Sequence, residues 1–227
     1  MNSVALILPA AGSGSRMNRD APKPFIRIGE KTILEHTISR FLGLDGLEQV
    51  IIATSEPYID QTLESVRSLA GARIEVCCVA GGDERQHSIY NALQQVGACE
   101  LVIIHDAVRP FVTSEQIERC CRKASAEGAA IVGVPAKDTI KKIDEQLRIR
   151  ETPDRRHLWQ AQTPQVFAKD LIMRAYRKAM EEGYVGTDDA SLVERLGEPV
   201  VMVEGERSNF KITYPLDLKL AKLLLEE

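Results

Sequence analysis

The chain has 227 residues, a formal net charge of −4 and 44% hydrophobic residues. That suits one folded domain with a sizeable core and excludes an overall basic field for nucleic acid, so any anion site must be local. The five cysteines (Cys77, Cys78, Cys99, Cys120 and Cys121) form no C-x-x-C pair, no run reaches membrane-span length, and no positive charge precedes the N-terminal apolar run as a secretion signal requires; the expectation is a cytoplasmic protein with reduced thiols.

Val4 to Leu8 is an unbroken apolar run that gives way to Pro9-Ala10-Ala11-Gly12-Ser13-Gly14-Ser15-Arg16-Met17, with Lys23 following between Pro22 and Pro24. A run of this kind reads as a buried parallel strand delivering a loop to the carboxyl edge of a sheet, where open α/β sheets bind ligands. Small residues from 10 to 15 let the backbone approach a ligand, and N–H groups there can cradle an anion. The dinucleotide fingerprint wants a third Gly where Met17 stands, and the phosphate loop G-x-x-x-x-G-K-[ST] has no match. What remains is a Gly-rich turn followed by two fixed cations, Arg16 and Lys23. It suits a triphosphate whose charge is held and then neutralised as it leaves; the plain alternative is a strand-to-helix turn with two solvated cations.

From residue 31 the period becomes helical, with Ile33, Leu34, Thr37, Ile38, Phe41 and Leu42 on one face. Strand-like runs recur at Val50 to Ala53, Ile74 to Val79, Leu101 to Ile104 and Ala129 to Val134, with helical stretches at about 57–70, 84–96 and 114–127 between them. The alternation predicts a mostly parallel sheet covered on both faces. From Lys137 to Arg156 twelve of twenty residues are charged, and the apolar members are only Ile140, Ile143, Leu147 and Ile149. Asp144-Glu145-Gln146 can turn a hairpin there, but so little apolar surface is marginal alone. The hairpin should pack on something, a second copy of the chain being the first candidate; a flexible surface excursion is the alternative. Helices at about 168–182 and 188–196, strands at 200–203 and 209–213, and a last helix opening at Pro215 complete the reading.

Five polar clusters bear on chemistry. Gly81-Gly82-Asp83-Glu84-Arg85 follows the third strand, with Ser88 one helical turn on; a Gly-Gly turn, a carboxylate and a hydroxyl form the donor and acceptor set that reading a base edge requires, although Asp83 could simply cap the helix. His105-Asp106-Ala107-Val108-Arg109-Pro110 follows the fourth strand. Asp106 there can hold Mg²⁺ or ribose hydroxyls and Arg109 a phosphate, or the two can pair internally, while a lone His105 reads as structural. Thr163, Thr187 and Lys211 lie in late clusters at element boundaries, Lys211 inside the strand expected at 209–213.

Taken in order, PAAGSGSRM (Pro9 to Met17) with the following Pro22-Lys23, GGDERQHS (Gly81 to Ser88), HDAVRP (His105 to Pro110), KDT (Lys137 to Thr139), DRRHLWQAQTP (Asp154 to Pro164), TDDAS (Thr187 to Ser191) and NFKIT (Asn209 to Thr213) resemble the 2-C-methyl-D-erythritol 4-phosphate cytidylyltransferase family of the non-mevalonate isoprenoid pathway, from Leu8 to about Thr213. The resemblance implies an α/β, Rossmann-like nucleotidyltransferase fold. Its mostly parallel twisted sheet has helices on both faces, and a β-arm at about 136–157 protrudes from the single domain spanning 1–227. It further implies a homodimer through the arm, and transfer of CMP from CTP to the acceptor phosphate with Mg²⁺, in the cytoplasm or, if a leader is processed, the plastid stroma.

Carried over residue by residue, Pro9, Ala10, Ala11, Gly12 and Gly14 would lie along CTP, Gly82, Asp83 and Ser88 would read cytosine, and Asp106 with Ala107 would contact the ribose. Arg16 and Lys23 match triphosphate-binding cations. Asp106, Arg109, Thr163, Thr187 and Lys211 match the acceptor site, and Thr139 and Arg155 match arm residues supplied by the partner subunit. Mg²⁺ would be held mainly by the triphosphate, with Asp106 as a candidate ligand. Ser15, Ser208 and Val108 depart from residues frequent in the family, Val108 at the acceptor pocket. The implied step is in-line attack of the acceptor phosphate on the α-phosphorus; that phosphate is mostly dianionic at neutral pH and needs no base, so Arg16, Lys23 and Lys211 are the expected catalytic cations. The rivals are a ribitol- or ribulose-5-phosphate cytidylyltransferase and a non-catalytic nucleotide-binding module.

Overall fold

In the computed structural model, which describes residues 2–12 and 22–225, the first apolar run forms β1 (Val4–Pro9). A small hairpin of β2 (Arg27–Ile28) and β3 (Lys31–Thr32) leads into α1 (Ile33–Ser39), and strands and helices then alternate: β4 (Leu47–Thr54), α2 (Ile59–Ala70), β5 (Glu75–Ala80), α3 (Arg85–Leu93), β6 (Leu101–Ile104), α4 (Ser114–Glu127) and β7 (Ala129–Pro135). A second hairpin, β8 (Lys142–Ile143) and β9 (Ile149–Glu151), precedes β10 (Trp159–Ala168), α5 (Lys169–Glu181), α6 (Asp189–Arg195), β11 (Val201–Glu204) and α7 (Pro215–Leu225).

One seven-stranded sheet runs in the order β11-β7-β10-β6-β1-β4-β5, and only β10 is antiparallel to its neighbours. Side chains leave the central strands in alternation. Leu6, Leu8, Val50, Ile52 and Ile103 join one core cluster with Leu34 of α1, Val66 of α2 and Ile117 of α4. Ile7, Ile51, Val102 and Ile104 join the other, against Ile89 of α3, Ile172 of α5 and Val193 of α6. Burial on both faces is why these strands are continuous apolar runs, each fully buried Leu or Ile contributing about 1.5–3 kcal/mol. A smaller cluster packs Leu218 and Ala221 of α7 on Ile28, Val108 and Ile212.

Two departures from the sequence reading shape the site. Trp159–Ala168, read only as a polar motif, is the longest strand, and it inserts between β6 and β7 with a register break between Ala161 and Gln165, where Pro164 lies. Proline sits at such irregularities because it cannot donate to the ladder, which also hides the strand from any alternating pattern. Residues 209–213, expected as a strand, belong to no sheet. Ile212 donates instead to the Val108 carbonyl at 3.0 Å, and Arg109 Nη1 donates to the Asn209 carbonyl at 2.8 Å, so this segment is tied to the loop after β6.

The β8–β9 hairpin turns as expected. Asp144 accepts from the Gln146 and Arg148 N–H groups, both at 3.0 Å, and pairs with the Arg148 and Arg150 guanidinium groups. Its Ile140, Ile143, Leu147 and Ile149 are 40–76% exposed, so the hairpin has no core of its own.

Candidate functional site

Loops leaving the carboxyl ends of β1, β5 and β6 enclose a cleft of about 540 Å³. Pro9, Ala10, Ala11 and Gly12 line it from the first loop, Gly82, Asp83 and Ser88 from the second, and Asp106 with Ala107 from the third; Lys23 and Lys211 reach it from outside the sheet. Gly14 and Arg16 lie outside the described residues.

Close approach of two loops shapes one wall. A Cβ on Gly81 would stand 2.2 Å from the Ala11 Cβ, and Gly81 N–H is already committed to the Thr54 carbonyl at 2.8 Å, so neither chain can retreat cheaply. Ser88 is spent inside this turn: its Oγ accepts from Gly82 N–H at 3.0 Å, and its hydroxyl faces the Glu84 carbonyl at 3.2 Å. Asp83 does not cap α3, whose N-cap is Glu84 with no side-chain hydrogen bond, and its exposed carboxylate is left in the cleft.

Asp106 is the electrostatic hub. Its Oδ1 accepts from Arg85 Nε at 3.2 Å, its Oδ2 accepts from Arg109 Nε at 3.2 Å, and Lys211 Nζ stands 3.1 Å from the same Oδ2. Burial opposes its charge, but Arg85, Lys211 and Arg109 together hold its carboxyl far below the usual carboxylate range. The internal Asp106–Arg109 pairing weighed from the sequence is therefore present, within a larger cluster. Arg109 has Nε and Nη1 engaged and its side chain is only 12% exposed. His105 is fully buried between the Arg109 carbonyl and Thr163 Oγ1, edge-on to Phe41, and burial pushes its imidazole down to about 4.

Not every residue singled out from the sequence meets the cleft. Thr163 is buried behind it, accepting from Asp106 N–H at 3.0 Å. Thr187 lines a neighbouring cavity of about 170 Å³ that shares Glu84 and Arg85 with the cleft. Thr139 and Arg155 lie exposed on and beside the hairpin, Arg155 donating to the Lys137 carbonyl at 3.0 Å.

The model of the 2-C-methyl-D-erythritol 4-phosphate cytidylyltransferase family matches residues 4–227. The chain belongs to that family. It is 45% identical over 226 residues to the 2-C-methyl-D-erythritol 4-phosphate cytidylyltransferase of Caldanaerobacter subterraneus subsp. tengcongensis, covering 99% of this chain and 100% of the relative. It is 44% identical to that of Geobacillus thermodenitrificans, covering 99% and 97%. Among solved structures, the 4-diphosphocytidyl-2C-methyl-D-erythritol synthase of Anaerococcus prevotii superposes with a TM-score of 0.87 at 30% identity, covering 100% of this chain and 97% of the other. The 2-C-methyl-D-erythritol 4-phosphate cytidylyltransferase of Thermus thermophilus does so at 0.79 and 32%, covering 99% and 100%.

In this member of the cytidylyltransferase family, sequence reasoning passed over Arg85, which lines the cleft, and its buried partner Asp189. They form a bidentate pair from positions 104 residues apart, a separation that leaves no local signal. Asn209 entered the sequence reading only as the start of the NFKIT motif; it is fully buried and donates to the Thr163 carbonyl at 2.9 Å, anchoring the segment that carries Lys211. The donor set does not fit Asp106 as a ligand for Mg²⁺. A hard cation needs carboxylate lone pairs, and both Asp106 oxygens face cations. No group of three or more His, Cys, Asp or Glu suited to a metal occurs among the described residues.

Proposed function

We propose that the chain transfers the cytidylyl group of CTP to 2-C-methyl-D-erythritol 4-phosphate, giving 4-diphosphocytidyl-2-C-methyl-D-erythritol and pyrophosphate. The observation that carries this reading is the meeting of Lys23, Lys211 and an uncommitted Asp83 carboxylate on one cleft at the sheet's carboxyl edge. An acceptor-phosphate oxygen attacks the α-phosphorus in line; the new P–O bond forms as the bond to the bridging oxygen breaks, and pyrophosphate leaves with that electron pair. The attacking phosphomonoester has its second pKa near 6 and is mostly dianionic at neutral pH, so no general base is required. The barrier lies in bringing two polyanions together, which is work for fixed cations.

In this reading Pro9 to Gly14, with Arg16 and Lys23, hold the triphosphate. Asp83 accepts from the exocyclic amine of cytosine beside the Gly82 backbone, a group that uracil lacks. Ser88 supports that reading by fixing the Gly82 turn. Asp106 and Ala107 face the ribose, and Lys211 reaches the acceptor phosphate with Arg109 and Thr163 behind it and Thr187 alongside. Mg²⁺ would be held mainly by the triphosphate and would offset its negative charge, the chain offering no fitting carboxylate set of its own among the described residues.

The arm at 136–157 joins two copies of the single domain, and Thr139 and Arg155 serve the partner's acceptor site; the exposed Ile143, Leu147 and Ile149 supply the apolar surface such a contact would cover. The five unpaired thiols suit a reducing cytoplasm, and among the described residues no helix is long and apolar enough to cross a membrane.

Pyrophosphate release with Mg²⁺ tests the reading, comparing CTP with ATP, GTP and UTP, and methylerythritol phosphate with ribitol and ribulose phosphates. Turnover confined to CTP and methylerythritol phosphate is expected. Turnover only with a pentose-derived acceptor moves the substrate assignment, and silence with every pair removes the chemistry.

A further inference from the structure

The guanidinium of Arg85 spans two carboxylates. Nη1 and Nη2 donate to Oδ1 and Oδ2 of Asp189 at 3.0 and 2.8 Å, while Nε donates to Oδ1 of Asp106 at 3.2 Å. The Asp189 end is anchored in the core: its side chain is 1% exposed and also accepts from the Tyr176 hydroxyl of α5. The start of α6 is itself fixed to β10, because Gln165 donates to Asp188 Oδ2 and accepts from Ala190 N–H, both at 2.9 Å. The next residue along α3 repeats the tie, Gln86 donating to the Tyr184 carbonyl at 2.8 Å and accepting from Gly186 N–H at 2.9 Å. Arg85 is thus a rigid strut, two of its nitrogens held by a buried carboxylate and one presented to the cleft.

That third nitrogen decides what Asp106 can do. With Oδ1 taken by Arg85, the carboxylate plane is set and only Oδ2 remains, where Arg109 Nε and Lys211 Nζ converge. A planar guanidinium grips one carboxylate with its two-nitrogen fork and presents Nε to the other in a fixed direction, a geometry that the point charge of an ammonium does not impose. Without the strut, Asp106 keeps partners on one oxygen only and is free to swing toward Arg109, carrying Lys211 with it. We propose that Arg85 is a positioning residue for the acceptor phosphate, acting through Asp106 to fix where the Lys211 amine and Arg109 guanidinium stand. The inference rests on the cleft being the transferase site described above.

The test separates positioning from folding. Arg85→Gln leaves Asp189 as a buried charge without its cation, so loss of thermal stability is expected; the double variant Arg85→Gln/Asp189→Asn removes that charge and should regain most of it. Positioning requires that KM for the acceptor stay raised by roughly tenfold or more in both variants, including the double variant whose stability has recovered. If the acceptor KM recovers together with stability in the double variant, Arg85 serves only the fold and the proposal fails. A crystal structure of the double variant gives a readout that needs no turnover: a shift of the Asp106 carboxylate and of the Lys211 amine relative to the sheet is expected, and both groups standing where they stand in the wild type overturns the proposal. A wild-type chain that releases no pyrophosphate would sink the functional reading, and the variant structure would then decide the positioning question alone.

Discussion

The amine of Lys211 stands 3.1 Å from Oδ2 of Asp106, in a segment that belongs to no sheet and is tied down by Asn209 and Ile212. The ion pair does more than neutralise charge: it holds a 38% exposed lysine at one point on the cleft. Removing a preorganised charge-stabilising donor costs about 10²-fold in kcat. Lys211→Ala and Lys23→Ala should each lose that much in a pyrophosphate-release assay, and undiminished turnover in both would end the assignment of these cations.

Asp83 is exposed and does not cap its helix, so its carboxylate is available to the base. Asp83→Asn replaces one acceptor oxygen with a donor facing the cytosine amine, and a good base-edge contact is worth about 1–3 kcal/mol of discrimination. The ratio of kcat/KM for CTP over UTP should fall by roughly tenfold or more. An unchanged ratio would move base recognition elsewhere on the loop.

His105 makes stability depend on pH. The Arg109 carbonyl can only accept, so the single proton of the neutral ring sits on Nε2, and Nδ1 accepts from the Thr163 hydroxyl, whose oxygen in turn accepts from Asp106 N–H. The folded value of about 4 lies below the ordinary 6.5, so the unfolded chain takes up the extra proton first. The stability that the neutral ring contributes is complete above about pH 6.5, falls as pH drops, and is lost by about pH 4, a change of about 3 kcal/mol. Asp106, held far below the usual carboxylate range, adds its own loss only below that window. Denaturant titrations from about pH 7 down to about pH 4 should record the fall, and His105→Gln should flatten it; parallel profiles for the two proteins would refute the linkage.

Arg155 lies on the exposed arm, and Lys211 in the cleft. If the arm serves the partner's site, an inactive Arg155→Ala chain mixed with an inactive Lys211→Ala chain should recover part of the activity, because one heterodimer site carries neither substitution. No recovery, with heterodimers verified by mass, would mean that each site is built from one chain.

Much of this was legible in the sequence because strands buried on both faces must be apolar throughout. β1, β6 and β7 announce themselves without reference to anything distant, and each break in such a run marks a loop at the same sheet edge. The arm's turn was legible for a local reason too: Asp144 bonds its own neighbours two and four residues on.

What the chain alone could not reveal depends on polar groups that find partners only after folding. β10 carries Gln160, Gln162, Thr163 and Gln165 where a strand pattern wants apolar residues; Gln162 is satisfied by the Glu206 carbonyl, Thr163 by Asp106 and His105, and Gln165 by the start of α6. Residues 209–213 have strand-like alternation but spend key hydrogen bonds on the loop after β6. Arg85 and Asp189 are unremarkable charged residues in separate helices until the sheet brings the ends of α3 and α6 together. Amino-acid sequence by itself determined which segments are desolvated, and hence the sheet and its loops; only the tertiary structure decided which distant charges meet, because an ion pair is encoded in the distance between two side chains and not in either of them.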